Sequence, residues 1–160
     1  MNSSTRSMAQ MGMIAAVYVV LTVVFAPISF QEIQVRLSEA LTILPVFTVS
    51  AVPGLTLGCL AANILGGAPL PDVVFGTLAT LIGAVGTRLL RNRKPVVAAM
   101  PPIASNMVII PIILRYAYEV PLPIPLMMAT VGLGEAISCG VLGLMLYKAL
   151  LPHKKQVFKK

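Results

Sequence analysis

Charge is what this sequence has least of. Only 11% of its 160 residues are charged and five of those are acidic, whereas 58% are apolar and mean hydropathy is +0.92. A soluble domain carries roughly a quarter charged residues, so the balance argues against one. There is a single histidine, His153, in a basic tail, and neither an H-E-x-x-H pattern nor a Ser/His/Asp arrangement accompanies it. Intramembrane hydrolysis therefore has no sequence support. A G-x-x-x-x-G-K-[ST] phosphate loop is also missing, so ATP hydrolysis by that route is not expected. The two cysteines, Cys59 and Cys139, lie in apolar runs with neither metal-ligand nor disulfide-framework spacing, and read as packing thiols. No metal and no cofactor is expected.

What is present is apolar sequence in span-sized pieces. A bilayer crossing needs about 20 residues, so six crossings would use about 120 and leave only short loops. The runs separate at prolines, glycines and charges into approximate spans 8–26, 37–52, 54–66, 72–91, 95–115 and 124–151, followed by a basic tail at 152–160. Pro53 is the only break between the second and third runs, and a polar, amphipathic segment, 29–36, follows the first. The first run is too long for a signal-peptide core and lacks a small-x-small cleavage site, so it reads as a span. The predicted fold is an all-α integral membrane protein, a compact bundle of six transmembrane helices with both termini cytoplasmic, in one membrane-embedded domain.

Charge placement supports that count. The net charge of +7 is gathered at Arg88, Arg91, Arg93 and Lys94 and in the tail Lys154, Lys155, Lys159 and Lys160, flanking apolar runs. Such clusters mark cytoplasmic loops rather than a nucleic-acid surface. Six spans put both clusters inside, whereas five would export one. Ten of the twelve basic residues then lie inside, and Arg36 and Arg115 are the exceptions. All five acids, Glu32, Glu39, Asp72, Glu119 and Glu135, fall at the outer face or near mid-membrane.

Small residues recur every fourth position along Gly54, Gly58, Ala62 and Gly66, along Ala79, Gly83 and Thr87, and along Gly132, Ala136 and Gly140. Stripes of this kind let helix backbones approach closely, within one bundle or against a partner.

Polar residues inside apolar runs are the functional candidates. A carboxylate at mid-helix costs about 2.5–3.5 kcal/mol on insertion scales. Glu135 is the clearest case, flanked by Gly134 and Ala136 with no basic residue one turn away. Asn106 lies comparably deep in the fifth run, Asn63 and Asp72 flank the turn between the third and fourth, and Arg36 and Glu39 open the second. All six can converge on one outward-opening cavity. Plainer readings stand beside this one: local ion pairs for Arg36 with Glu39 or Glu32, a helix cap for Asp72, and helix bridging for the asparagines. The aromatics Phe25, Phe30, Phe47, Phe75 and Tyr116 read as packing or interface anchors.

The stretch from Tyr18 to Phe30, Y-V-V-L-T-V-V-F-A-P-I-S-F, with V-R-L-S-E-A-L-T-I-L-P from Val35 to Pro45, resembles the QueT family. So do the blocks G-L-T-L-G-C-L-A-A-N-I-L-G-G from Gly54 and D-V-V-F-G-T-L-A-T from Asp72. That family comprises queuosine-precursor substrate-binding (S) components of energy-coupling factor (ECF) transporters. The resemblance implies six helices, no ATPase activity of the chain's own, and assembly in a prokaryotic plasma membrane with a transmembrane T component and two cytoplasmic ATPases. It also implies a 7-deazaguanine ligand, whose N–H edge a carboxylate can accept. S components often carry an A-x-x-x-A docking motif on the first helix. The nearest match here is Gly12 to Ala16, with Ala15 and Val19 as a weaker alternative. Two other classes compete: a self-sufficient secondary transporter coupled to protons through Glu135, and a membrane scaffold without ligand.

Overall fold

A computed structural model of the chain describes residues 3–25 and 36–158, and these are helical with no strand among them. Residues 26–35, with Phe30 and Glu32, and the terminal Lys159 and Lys160 lie outside the described residues. We number the helical elements in chain order: α1 (Ser3–Val24), α2 (Leu37–Val46), α3 (Ala51–Leu65), α4 (Asp72–Leu89), α5 (Pro95–Tyr116), α6 (Ile124–Leu150) and a short α7 (Lys154–Val157). Four of them, α1, α4, α5 and α6, are long and apolar enough to cross a membrane.

The other two apolar helices are shorter than a span. α2 is a ten-residue 3₁₀ helix, about 20 Å long at about 2 Å per residue, and α3 has 15 residues, about 22 Å. A hydrocarbon core is about 30 Å thick. The chain breaks between them at residues 47–50 and not at Pro53, which sits inside the first turn of α3. A proline is tolerated there because the first-turn N–H groups have no helical acceptor anyway. Pro45, near the end of α2, leaves a carbonyl that the Arg88 guanidinium takes up at 3.0 Å.

The packing is inverted relative to a soluble core. Leu65, Leu133 and Met145 are each more than 60% exposed, while Arg36, Glu39, Asp72 and Glu135 are each at most 4% exposed. This is the arrangement lipid favours, with polar groups satisfied inside the bundle.

Two of the three small-residue stripes account for how tightly the helices meet. A side chain at Gly58 would come within 2.8 Å of Tyr18 Cβ, and one at Gly54 within 2.9 Å of the Met11 carbonyl. α1 therefore lies directly on α3, and Ile14, Tyr18, Leu55, Cys59 and Ala62 form the apolar core between them with α2. Gly83 and Gly86 meet Pro102 and Pro101 in the same way, which joins α4 to α5. The third stripe behaves differently: Gly132 touches Met107, but Ala136 is exposed and Gly140 has no atom within 4 Å of a built Cβ.

Contacts at the two ends of the bundle sort its charges. Ser7 bonds Ser50 at 2.6 Å, Gln10 bonds the Val157 carbonyl at 3.1 Å, and Phe47 stacks on both Tyr147 and Phe158. The start of α1, the α2–α3 turn, the C-terminal end of α4 and α7 thus share one end, where the basic clusters lie. Asp72, Tyr118 and Arg36 meet at the other.

A Gly58→Ala substitution should lower stability by about 1–3 kcal/mol, because α1 cannot retreat without opening the α1–α3 core. Gly140→Ala should stay within about 0.5 kcal/mol of the parent. Thermal unfolding of both variants in detergent checks this, and equal midpoints would contradict the close α1–α3 contact.

Candidate functional site

The six polar residues singled out from the sequence come together in one buried network. Arg36 caps the start of α2, and its guanidinium lies 3.6 Å from the Asp72 carboxylate at the start of α4. Asp72 is not the cap residue, a position that Pro71 holds, and its carboxylate faces Arg36 and Tyr118 instead. Its second contact is Tyr118, whose hydroxyl donates to Oδ2 at 2.7 Å from the α5–α6 loop. Burial, together with this bond to a carboxylate, pushes the Tyr118 phenol above its ordinary range and keeps it a donor. Asn63, near the end of α3, donates to the Asp72 carbonyl at 3.2 Å. Gly76 lies beside this group: a Cβ there would collide with Asp72 Oδ1 and come within 3.3 Å of Asn63 Nδ2.

The second half of the network is built on α2, α5 and α6. Asn106 Nδ2 donates to Glu135 Oε1 at 2.9 Å, so this asparagine does bridge two helices, as one reading of it held. Glu39 accepts a bond from the Tyr18 hydroxyl on α1. Cys139 Sγ lies 3.0 Å from Glu135 Oε2 and receives the Thr42 hydroxyl at 3.3 Å. Glu39, Glu135 and Cys139 each present an atom within 4.8 Å of the other two. Two unit charges at that distance repel by about 3.5 kcal/mol at an effective dielectric of about 20. Ionising both carboxylates would cost that repulsion on top of the burial of each.

The exceptional cations find their explanation here. Arg36 is buried against Asp72, while Arg115 stays exposed and donates to the Val120 carbonyl at 3.2 Å. Glu119 takes no part in a described ion pair, and sits in the loop with a φ of 54°.

Several buried acceptors still lack a hydrogen-bond partner among the described residues: Glu39 Oε2, Asn63 Oδ1 and Asp72 Oδ1. Unmade bonds of this kind are costly in a folded protein. Each of these atoms accepts, so the missing partner is a donor.

Sequence reasoning missed Tyr18, Tyr118 and Cys139 as members of the network. The cysteine was legible in principle: Cys139 is four residues after Glu135 and Cys59 four before Asn63, which puts each thiol on the polar face of its helix. Cys59 receives Thr80 at 3.3 Å and Asn63 at 3.7 Å while it also packs in the α1–α3 core, so the thiols expected to pack carry polar contacts as well.

On α1, Gly12 and Ala16 are exposed, whereas Ala15 packs against Gly58 and Val19 against the α1–α3 core. A groove of about 420 Å³ runs along another face of α1, lined by Met13, Val17, Leu41, Leu44, Leu146 and Leu150, and neither Gly12 nor Ala16 lines it. A second cavity, about 350 Å³, lies between α4 and α5 against Phe75, Ile112 and Tyr116. None of the six polar residues lines either one.

Residues 8–152 match the family described as QueT transporter. The chain belongs to the QueT transporter family. With its four span-length helices it is a multi-pass membrane protein. The Queuosine precursor transporter QueT of Lactococcus lactis subsp. cremoris (strain MG1363) is 34% identical over 82 residues, which cover 50% of this chain and 48% of that protein. The match thus spans about half the length of that curated relative. No solved structure matches the chain.

Tyr18→Phe keeps the ring that fills the α1–α3 contact and removes the donor to Glu39. Losing that donor leaves a buried carboxylate unanswered, so stability should fall by about 1–3 kcal/mol. A melting temperature in detergent equal to the parent's would remove Tyr18 from the network.

Proposed function

We propose that this chain is the substrate-binding S component of an ECF-type uptake transporter and that it binds a queuosine precursor of the 7-deazaguanine class. One observation carries the reading. Buried acceptors on α2, α3 and α4 stand without donors in a network that also supplies a guanidinium and a carboxamide. A 7-deazaguanine has the complementary pattern, a row of N–H donors beside one carbonyl acceptor. The name of the Lactococcus relative points to the same ligand class. In this reading Asp72 and Asn63 accept from the base edge, Arg36 serves the carbonyl, and Glu39, Asn106 and Glu135 complete the pocket.

The chain itself is not an enzyme in this account. It delivers the ligand with a transmembrane T component and two cytoplasmic ATPases, in the plasma membrane of a prokaryotic cell. All six apolar helices cross, α2 and α3 as a thin hairpin, and both termini lie in the cytoplasm. The gathering of basic residues at one end of the bundle supports that orientation. The exposed Gly12 and Ala16 supply a smooth face for a partner helix.

Titration calorimetry of the purified chain with a 7-deazaguanine tests the ligand. Glu135→Gln replaces one acceptor by a donor facing a ligand donor, so affinity should drop by about 2–3 kcal/mol, roughly thirty- to a hundred-fold. Unchanged affinity in a folded variant would move Glu135 out of the site. Sustained uptake by liposomes that hold this chain alone would contradict the S-component role.

Orientation is checked by cysteine labelling in intact cells. Asn92→Cys should be protected from an impermeant reagent and Gly66→Cys modified by it; modification at 92 would sink the six-span arrangement. For the partner face, Gly12→Leu and Ala16→Leu should impair uptake by the full transporter and leave ligand affinity of the isolated chain within about two-fold. Uptake at the parent rate in both would place docking elsewhere.

A further inference from the structure

The groove along α1 exists because three helices do not close on one another. α1 and the last turns of α6 each pack on α2 but scarcely on each other, so Leu41 and Leu44 of α2 form a floor between two walls. Met13 and Val17 stand on one wall, Leu146 and Leu150 on the other. At the basic end α7 folds across. There Gln10 Nε2 donates to the Val157 carbonyl at 3.1 Å, which joins the walls at the groove's mouth.

Two cations flank that mouth. Arg6 lies one turn before Gln10, on the stripe of α1 that continues through Met13 and Val17. Lys154 lies one turn before Val157 and Phe158, which line the groove from α7. Arg6 is half-buried and Lys154 exposed, and neither belongs to an ion pair among the described residues. The neighbouring helices cannot supply a counter-charge either. No acidic residue precedes Glu32 or follows Glu135 in the sequence, so α1, the end of α6 and α7 hold none.

We propose that the groove binds one anionic phospholipid of the leaflet at the basic end, with an acyl chain along Met13, Val17 and Leu146 and the phosphate on Arg6 and Lys154. Length favours this occupant. The rise from Arg6 to Val17 is about 17 Å at about 1.5 Å per residue, close to one leaflet of a hydrocarbon core about 30 Å thick. The groove stops at Val17, partway along α1, whereas a crossing partner helix would present about 20 residues. Hydrocarbon fills such a groove in any bilayer, and lipid tails are as apolar as leucine, so the tail alone selects nothing. Selection comes from the headgroup. A phosphodiester with no amine of its own supplies the negative charge that this mouth lacks, and basic pockets between helices at the cytoplasmic side suit such headgroups. The lipid leaves the face of Gly12 and Ala16 uncovered.

Native mass spectrometry of the purified chain, with equal amounts of phosphatidylglycerol and phosphatidylcholine of matched tails, tests the site. One phosphatidylglycerol should be retained per chain, favoured by about thirty-fold, since each basic residue contributes about five-fold. Arg6→Gln with Lys154→Gln should bring that ratio close to one. Arg91→Gln with Arg93→Gln removes equal charge from the same end and should leave it within about two-fold of the parent's. Met13→Trp fills the groove from an exposed position and should cut retention of both lipids several-fold. Thermal unfolding verifies each variant; if the Arg6 variant does not fold, Lys154→Gln alone should shrink the ratio about five-fold. No preference in the parent, an equal fall in the Arg91 and Arg93 variant, or retention untouched by Met13→Trp overturns the site. A chain dimer in place of the lipid adduct assigns the groove to a second copy. Assembly with the T component lost in Met13→Trp, with lipid retention unchanged, assigns it to that partner. Either result also overturns the proposal.

Discussion

Ionisable side chains enclosed by apolar helices must be answered from within the bundle, and this constraint organises the rest of the molecule. Arg36, Glu39, Asp72 and Glu135 are withdrawn from both water and lipid. Removing one partner of a buried ion pair typically costs about 3–5 kcal/mol, because the remaining charge has nowhere to go. The Arg36–Asp72 contact therefore ties the start of α2 to the start of α4. Tyr118 draws the α5–α6 loop onto the same carboxylate, and Asn106 joins α5 to α6 through Glu135.

Close helix approach makes those bonds reachable. Glycines at 54 and 58 let α1 settle on α3, which carries Tyr18 to Glu39 across an interface too tight for a larger residue. Glycines at 83 and 86 do the same for α4 and α5 against Pro102 and Pro101, and Ser105 confirms the contact with a bond to the Ala79 carbonyl at 3.0 Å. The 3₁₀ winding of α2 spreads its ten residues over a length that an α-helix would need about thirteen to cover. Arg36 thereby reaches the polar end of the bundle while the Pro45 carbonyl meets Arg88 at the basic end. Packing and chemistry depend on the same few small residues.

Much of this was legible in the sequence, for a reason specific to membranes. In an apolar run, a charged residue without a neighbour of opposite sign at helical spacing has to find its partner on another helix. Glu135 met that description, and its partners prove to be Asn106 on α5 and Cys139 on its own helix. The arginine at 36 invited a local pair with Glu39, yet the structure sets it against Asp72, 36 residues away, a distance that no local rule reports. Tyr18 and Tyr118 were invisible because a tyrosine in apolar sequence looks like an interface anchor until its hydroxyl is placed. Pro53 misled as a helix break because a proline marks a first turn as readily as an end. Of the small-residue stripes, only a three-dimensional arrangement could separate those on α3 and α4, which pack within the bundle, from the one on α6, which stays largely uncovered.

The central claim is that the buried polar network, and not an apolar cavity, receives the ligand. A crystal structure of the purified chain with a bound 7-deazaguanine addresses it most directly. The account predicts density for the base against Arg36, Asn63 and Asp72, with Glu39, Asn106 and Glu135 completing its pocket. Density for the base in the groove beside Met13 and Leu146, with the polar network unchanged from its ligand-free arrangement, would contradict it.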